Sequence, residues 1–338
     1  MTAVAAARSD AAAGPGLLLL ADPSPSFRRR VLTELLDAPA GDAEVADLGA
    51  RRGDELAAAL AAGLSGERDL RAMTWALCRA AYLGFDRSTP AVAVVAEAML
   101  DRQKRDGSFP LAAFRRGTED RRYSMMPLQT ALPLRGLAAA GYATDDRAER
   151  AYDWLLAQRL EDGAWPIGIS SGHAGYIAGY RRLPGSSGCR VTTEATIAAF
   201  VLHPERRRAA ETRRALDLLL QRETRDEWAL GSEVERLSGT GVVPGFVTVY
   251  ARFDLAFVLE LATRSGAGPD DARVASIDAF IESRRGPAGL WEHPARPELS
   301  RRLTLELLLS RRRLAAGDWA GTAPSLPFHG TSRRRGGW

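Results

Sequence analysis

The chain has 338 residues, 46% of them apolar, with 46 Lys and Arg against 42 Asp and Glu and a formal net charge of +4. That is enough apolar material for a sizeable core in one large domain or two small ones. The arginines fall in short runs among interspersed acids, giving no basic stripe for nucleic acid; Gly16-Leu17-Leu18-Leu19-Leu20-Ala21 is too short to span a bilayer, and Cys78 and Cys189 make no disulfide framework.

Residues 1–22, rich in Ala and Gly without periodicity, read as a flexible leader. From Pro25 the spacing of Phe27, Val31, Leu32, Leu35 and Leu36 predicts a helix, with Ser24 or Ser26 as its cap. A weaker helix follows over about 44–63, then one over 67–84 that is apolar on most faces. Thr89-Pro90 opens a helix over 89–104. After a polar loop from Arg115 to Arg122, an apolar helix over 127–140 ends at Gly141, and Asp145-Asp146 starts an amphipathic one. Residues 166–188, Gly-rich with Tyr176 and Tyr180, form the longest irregular connection. Helices over about 191–203 and 208–222 precede a polar, Gly-rich loop to Gly245. Further helices over 246–264, 270–284 and 298–314 complete a folded unit spanning 23–314. The tail, 315–338, is read as a strap or as disordered chain.

Four segments repeat one arrangement. A helix ends in Gln103, Gln158, Gln221 or Arg284, a turn follows, and an aromatic closes it: Asp106-Gly107-Ser108-Phe109, Asp162-Gly163-Ala164-Trp165, Asp226-Glu227-Trp228 and Gly289-Leu290-Trp291. The three tryptophans recur every 63 residues, and Phe109 precedes Trp165 by 56. Gly ends a helix in the left-handed conformation at low steric cost, and the aromatic anchors the returning loop.

This signature resembles the QW motif of the squalene-hopene cyclase and protein prenyltransferase β-subunit superfamily, over roughly residues 65–313. The resemblance implies an all-α fold, an α/α toroid of approximately (α/α)6 form in which each motif joins an outer to an inner helix. Helices apolar all round, starting near 27, 70, 127, 191, 246 and 298, are the inner candidates, alternating with five amphipathic outer ones. The inner helices of such a ring enclose a cavity, so chemistry is expected where loops enter them.

In class II terpene cyclases one inner helix begins with Asp-x-Asp-Asp, whose middle Asp protonates an alkene or epoxide. The matching positions here are Arg190-Val191-Thr192-Thr193, with no carboxylate, and Glu194 comes one residue later. A protonating acid must be kept neutral by burial or a like charge, which makes Glu194 the candidate acid despite its threonine neighbours. In protein prenyltransferases the comparable stretch is Asp-x-Cys, two zinc ligands; here Ser187-Gly188-Cys189 keeps only the Cys, and the next inner helix has no His, so no metal is expected. Asp254, placed inside the apolar 246–264 helix, needs a partner to be buried, and is either a second cavity acid or a structural bond to a neighbouring helix start. Arg190, at the entry itself, is a candidate substrate-binding residue. Trp75, Tyr123, Tyr176, Tyr180, Phe246 and Tyr250 are candidate substrate-binding aromatics able to stabilise a cation, with core packing as the alternative. His173 could reach the cavity mouth and Arg121-Arg122 could hold a diphosphate, a solvated loop being the alternative for both.

No phosphate loop, dinucleotide fingerprint, Gly-x-Ser-x-Gly or His-Glu-x-x-His occurs, and no cofactor is expected. The leading reading is a cytoplasmic, terpenoid-cyclase-like protein. It would take a small apolar or isoprenoid molecule and cyclise or isomerise it by acid-initiated chemistry. A non-catalytic binding or scaffold toroid is the rival; a carbohydrate-active (α/α)6 enzyme would need Glu194 and Asp254 facing each other. Peripheral membrane contact and oligomeric state stay open.

Overall fold

The computed structural model describes residues 15–64, 69–110, 126–167, 183–221, 228–240 and 253–324. The fold is all-α. Helix α1, Pro25–Arg30, starts with the Ser24 hydroxyl accepting the Phe27 amide and runs into a π-type turn over Val31–Leu35. The single helix expected over 44–63 is two, α2 at Ala43–Ala50 and α3 at Gly53–Leu64, because the chain breaks at Arg51-Arg52 and restarts. Then come α4 at Leu70–Tyr82, α5 at Pro90–Leu100 and α6 at Pro127–Leu137, which carries Pro133 and continues through a π-type turn over Ala138–Tyr142. Helices α7 (Asp146–Ala157), α8 (Arg190–Phe200) and α9 (Ala210–Leu220) follow. A short helix, α10 (Ser232–Ser238), stands where a polar loop was expected. Helices α11 (Leu255–Arg264), α12 (Ala272–Glu282) and α13 (Ser300–Ala315) complete the series. Trp228–Ala229 pairs in parallel with Phe253–Asp254.

Two kinds of helix alternate. Every residue of α6 and of α8 is buried, whereas α7 buries only Ala148, Ala151, Tyr152 and Leu155, the single stripe of an amphipathic helix. Helix α6 packs between α4 and α8; α5, α7 and α9 back α4, α6 and α8; α11 packs on α12 and α13. The last helix returns to the first. Leu305 and Leu309 share a cluster with Leu19, Phe27 and Val31, and Arg30 Nη1 meets Glu306 at 2.8 Å. Leu19 corrects part of the leader reading: residues 15–20 are helical, and Leu19 is fully buried.

The tail is a strap as far as residue 324. The amide of Gly268 donates to the Trp319 carbonyl, Gly321 N to Asp271 Oδ2, and Ala323 N to the Asp217 carboxylate. Arg273, bridging Asp217 and Asp271, also donates to the Ala323 carbonyl. The strap thereby ties α9 to α12.

Three of the repeated turns are alike bond for bond. Lys104 N donates to Ser108 O at 2.9 Å, Leu160 N to Ala164 O at 2.9 Å and Gly286 N to Leu290 O at 2.8 Å. Gly107, Gly163 and Gly289 are left-handed, with φ of +94°, +103° and +78°. Glycine is required at 107 for space as well, since a Cβ there would lie 2.2 Å from the Arg150 carbonyl oxygen. The indole N–H of Trp165 donates to Leu155 O and that of Trp291 to Ile281 O, each ten residues back. Each aromatic also ties forward. The amides of Phe109, Trp165 and Trp291 donate to the hydroxyls of Thr130, Thr193 and Thr304, near the starts of α6, α8 and α13.

These threonines fasten each motif to the helix that follows it. Thr193→Val, nearly isosteric, leaves the buried Trp165 amide without its acceptor, and is expected to lower unfolding free energy by about 1–3 kcal/mol. Urea denaturation measures it, and a variant as stable as the parent would show the fastener to be dispensable.

Candidate functional site

The entry to α8 lies beneath the second motif. Cys189 donates its amide to the Trp165 carbonyl at 2.8 Å, which sets the helix start, and Arg190 is the first helical residue. Arg190 and Glu194 stand one turn apart on one face, both fully buried, with Arg190 Nη1 at 3.1 Å from Glu194 Oε2. Glu194 Oε1, equally buried, has no hydrogen-bond partner among the described residues, and neither has Thr192 Oγ1. Burial pushes the Glu194 carboxyl up to about 7, against the opposing pull of Arg190 and Arg236 and with help from Asp254 and Glu233. The partner of Glu194 is thus Arg190, one turn earlier, and burial supplies the neutrality that a neighbouring acid would otherwise have to give.

Three charged side chains that sequence reasoning missed lie near this pair. Glu233, on α10, is gripped by Arg135 Nη2 of α6 at 2.5 Å and by Arg236 Nη2 of its own helix at 2.5 Å. Burial works to raise the Glu233 carboxyl, but the two guanidiniums outweigh it and hold it below the usual range. Arg135 also lies over the Phe257 ring, 4.9 Å from its centroid. A signal existed for Arg135, a charge inside an otherwise apolar helix.

Asp254 is not inside a helix. It is the N-cap of α11, accepting the Ala256 amide at 3.1 Å, and it reaches across to α10 to accept Gly231 N at 3.0 Å and Glu233 N at 2.7 Å. One buried carboxylate caps two helices. Burial raises it, the Glu233 and Gly231 amides and Arg236 oppose, and the balance stays above the ordinary carboxylate value. Both oxygens are committed to backbone amides, so the geometry gives Asp254 the structural bond to a neighbouring helix start and no free oxygen for a substrate. His293 completes the junction: its Nδ1 accepts the Ala295 and Arg296 amides, leaving the proton on Nε2, which donates to Gly231 O at 3.1 Å.

Of the remaining site candidates, Trp75 is buried on α4 within the main apolar core. Tyr123, Tyr176, Tyr180, Phe246 and Tyr250, with His173 and Arg121-Arg122, lie outside the described residues. Among the described residues, the side chains that converge here are arginines and carboxylates. Cys78 and Cys189 are both free thiols. Among the described residues no group of His, Cys, Asp and Glu is arranged to hold a metal, and no helix is long and apolar enough to cross a membrane.

No family model matches the chain, and comparison with curated proteins finds no match. A solved structure of a protein from Actinoplanes is similar at 16% identity over 70% of this chain and 65% of that one, with a TM-score of 0.39.

Proposed function

We propose that the chain is a terpenoid-cyclase-like α/α toroid in which Glu194 supplies the proton that an Asp-x-Asp-Asp acid supplies elsewhere. Support for the ring is the packing order: fully buried α6 and α8 alternate with amphipathic partners, and α13 returns to α1. The observation that carries the acid is Glu194 itself, wholly buried, with Oε2 on Arg190 and Oε1 unengaged by any described residue. Held near 7, about half of the carboxyl keeps its proton at neutral pH, where an ordinary glutamate keeps almost none, and that proton sits on the free oxygen. That proton would pass to an alkene carbon of a small apolar or isoprenoid substrate. The carboxylate left behind is stabilised by Arg190 and Arg236, and it can take a proton back from the rearranged cation, which makes the overall change an isomerisation or cyclisation.

Incubation with a panel of polyenes and prenyl diphosphates, with products read by mass spectrometry, tests this. Wild type is expected to give product and Glu194→Gln at least about 100-fold less. Equal turnover by both would remove Glu194 from the chemistry. The non-catalytic toroid is favoured by one observation, that Arg135, Glu233 and Arg236 fill interior space with mutually satisfied charge. No turnover by wild type, together with thermal stabilisation by a panel member, would decide for it.

A further inference from the structure

A second group of charged side chains gathers where α13 returns to α1. Arg30 and Glu34 stand one turn apart as α1 runs into its π-type turn, and Tyr82 is the last residue of α4. Glu260 and Arg264 are one turn apart on α11, and Arg302, Glu306 and Arg313 fall at helical spacing along one face of α13. We propose that this cluster is a ligand site for a small oxyanion, a carboxylate or a phosphate, with Tyr82 Oη, Arg302 and Arg313 as its donors. The proposal does not rest on what Glu194 does.

Arg30 joins the parts. Its guanidinium holds both Glu34 oxygens, at 2.7 and 2.9 Å, meets Glu306 Oε1 at 2.8 Å, and lies over the Tyr82 ring, 4.7 Å from its centroid. Helix α11 packs on α13, with Arg264 Nε on Glu260 Oε1 at 2.7 Å. The Glu34 and Arg264 side chains are 40% and 32% exposed, whereas those of Glu306 and Arg30 are 13% and 10%. The cluster thus meets solvent at Glu34 and Arg264 and is closed off at Tyr82, which is buried.

Tyr82 Oη is what points to a ligand. The atom is buried and has no hydrogen-bond partner among the described residues. Burying a hydroxyl unpaired is costly, and phenylalanine would keep the stacking on Arg30 without that cost. Burial, with Glu306 and Glu260 adding to it and Arg30 and Arg302 opposing, holds the phenol well above its ordinary value, so at neutral pH it has a proton to donate.

The other uncommitted groups are donors as well. Arg313 Nε is buried without a partner, and the guanidinium reaches only Ser310 Oγ, at 3.1 Å. Arg302 makes no side-chain hydrogen bond or ion pair among the described residues. The carboxylates are taken, Glu34 and Glu306 by Arg30 and Glu260 by Arg264. Burial, then Arg264, pull Arg313 below the ordinary arginine value although Glu260, Glu306 and Glu34 act the other way. Tyr82 and Arg313 both feel Glu306 and Glu260, so the unpaired donors share one neighbourhood. Donors without acceptors, with arginines outnumbering glutamates, fit the oxygens of a carboxylate or phosphate and repel a cation.

Isothermal titration of the full chain with inorganic phosphate and, separately, with succinate, at one ionic strength set with sodium chloride, tests the site and tells the two chemistries apart. Wild type is expected to bind at least one of them, and Tyr82→Phe and Arg313→Gln each to bind it about 10-fold more weakly. Arg51→Gln, which removes an exposed arginine paired with Asp47, is expected to bind as wild type does. Without either anion, Tyr82→Phe is expected to melt no lower than wild type, since the hydroxyl it loses has no partner. The site is overturned if neither anion binds, if either variant binds as tightly as wild type, or if Arg51→Gln loses as much as they do. A Tyr82→Phe protein that melts several degrees lower would also overturn it, because the hydroxyl would then be bonded within the fold. No readout involves turnover, so failure here and failure of Glu194 as an acid are separable results.

Discussion

Asp254→Ala is expected to lower the unfolding free energy by roughly 3 kcal/mol or more, a large effect for a residue with no side-chain ion pair among the described residues. The Asp254 carboxylate accepts three backbone amides, from Gly231, Glu233 and Ala256. Alanine leaves all three donors buried and unpaired, each at about 1–3 kcal/mol. Against this, burial already disfavours the ionised carboxylate, which holds the total near the lower end of the sum. Asp42→Ala is the control: its cap of α2 is exposed, and its loss should cost only about 1 kcal/mol. Asp254→Asn keeps an acceptor oxygen and should fall between. Urea midpoints at constant m give the numbers. A loss at Asp254 no larger than at Asp42 would mean that the double cap contributes nothing.

That double cap also marks where the sequence stopped being legible. Helices with local signals were readable: Asp145 and Asp271 cap α7 and α12 through their own following amides, as their positions before amphipathic runs predict. Helix α10 carries no such signal, because its N-terminal acceptor lies 23 residues ahead of Gly231 and its salt-bridge partner, Arg135, lies 98 residues behind Glu233. The same fact hid the true start of α11. The run from Phe246 to Phe253 is apolar enough to read as helix, and only the tertiary demand on Asp254 shows the cap to be there. The aromatic half of each repeated turn was plain from spacing. The threonine half was not, since Phe109, Trp165 and Trp291 find their hydroxyls 21, 28 and 13 residues on.

The candidate site was legible as a position and not as an environment. Glu194 follows from its register at the start of the helix after the long loop, and Arg190, four residues earlier, was available from helical spacing alone. What spacing does not give is the identity of the surrounding wall. Arg135, Glu233 and Arg236 arrive from two other helices and add charge that no spacing in the sequence announces. With Arg190 and Arg236 both pulling the other way, the raised Glu194 carboxyl depends on its complete burial.

Glu194→Gln is expected to abolish turnover and at the same time to stabilise the protein at alkaline pH relative to wild type. The sign follows from the raised carboxyl. Folding lifts Glu194 from the ordinary 4.5 to about 7, with burial as the main cause, Arg190 and Arg236 opposing it and Asp254 and Glu233 reinforcing it. Below 4.5 the group is protonated in both states and costs nothing. Between 4.5 and 7 the unfolded chain has lost the proton and the folded chain retains it, so stability falls as pH rises. Above 7 the loss levels off at about 3 kcal/mol, from 1.36 kcal/mol per unit. Glutamine has no proton to lose and keeps its stability across that window. The difference in unfolding free energy between variant and parent should therefore shift toward the variant by about 3 kcal/mol from pH 4 to pH 8. Taking this difference cancels the titration of Asp254 and Glu233, to the extent that both proteins share it. Paired urea titrations across the window check it. A difference that does not change with pH would mean that Glu194 is ionised throughout as a plain salt-bridge partner of Arg190, with no proton to give. A residue whose removal stabilises the fold while ending activity is what strain held for function predicts.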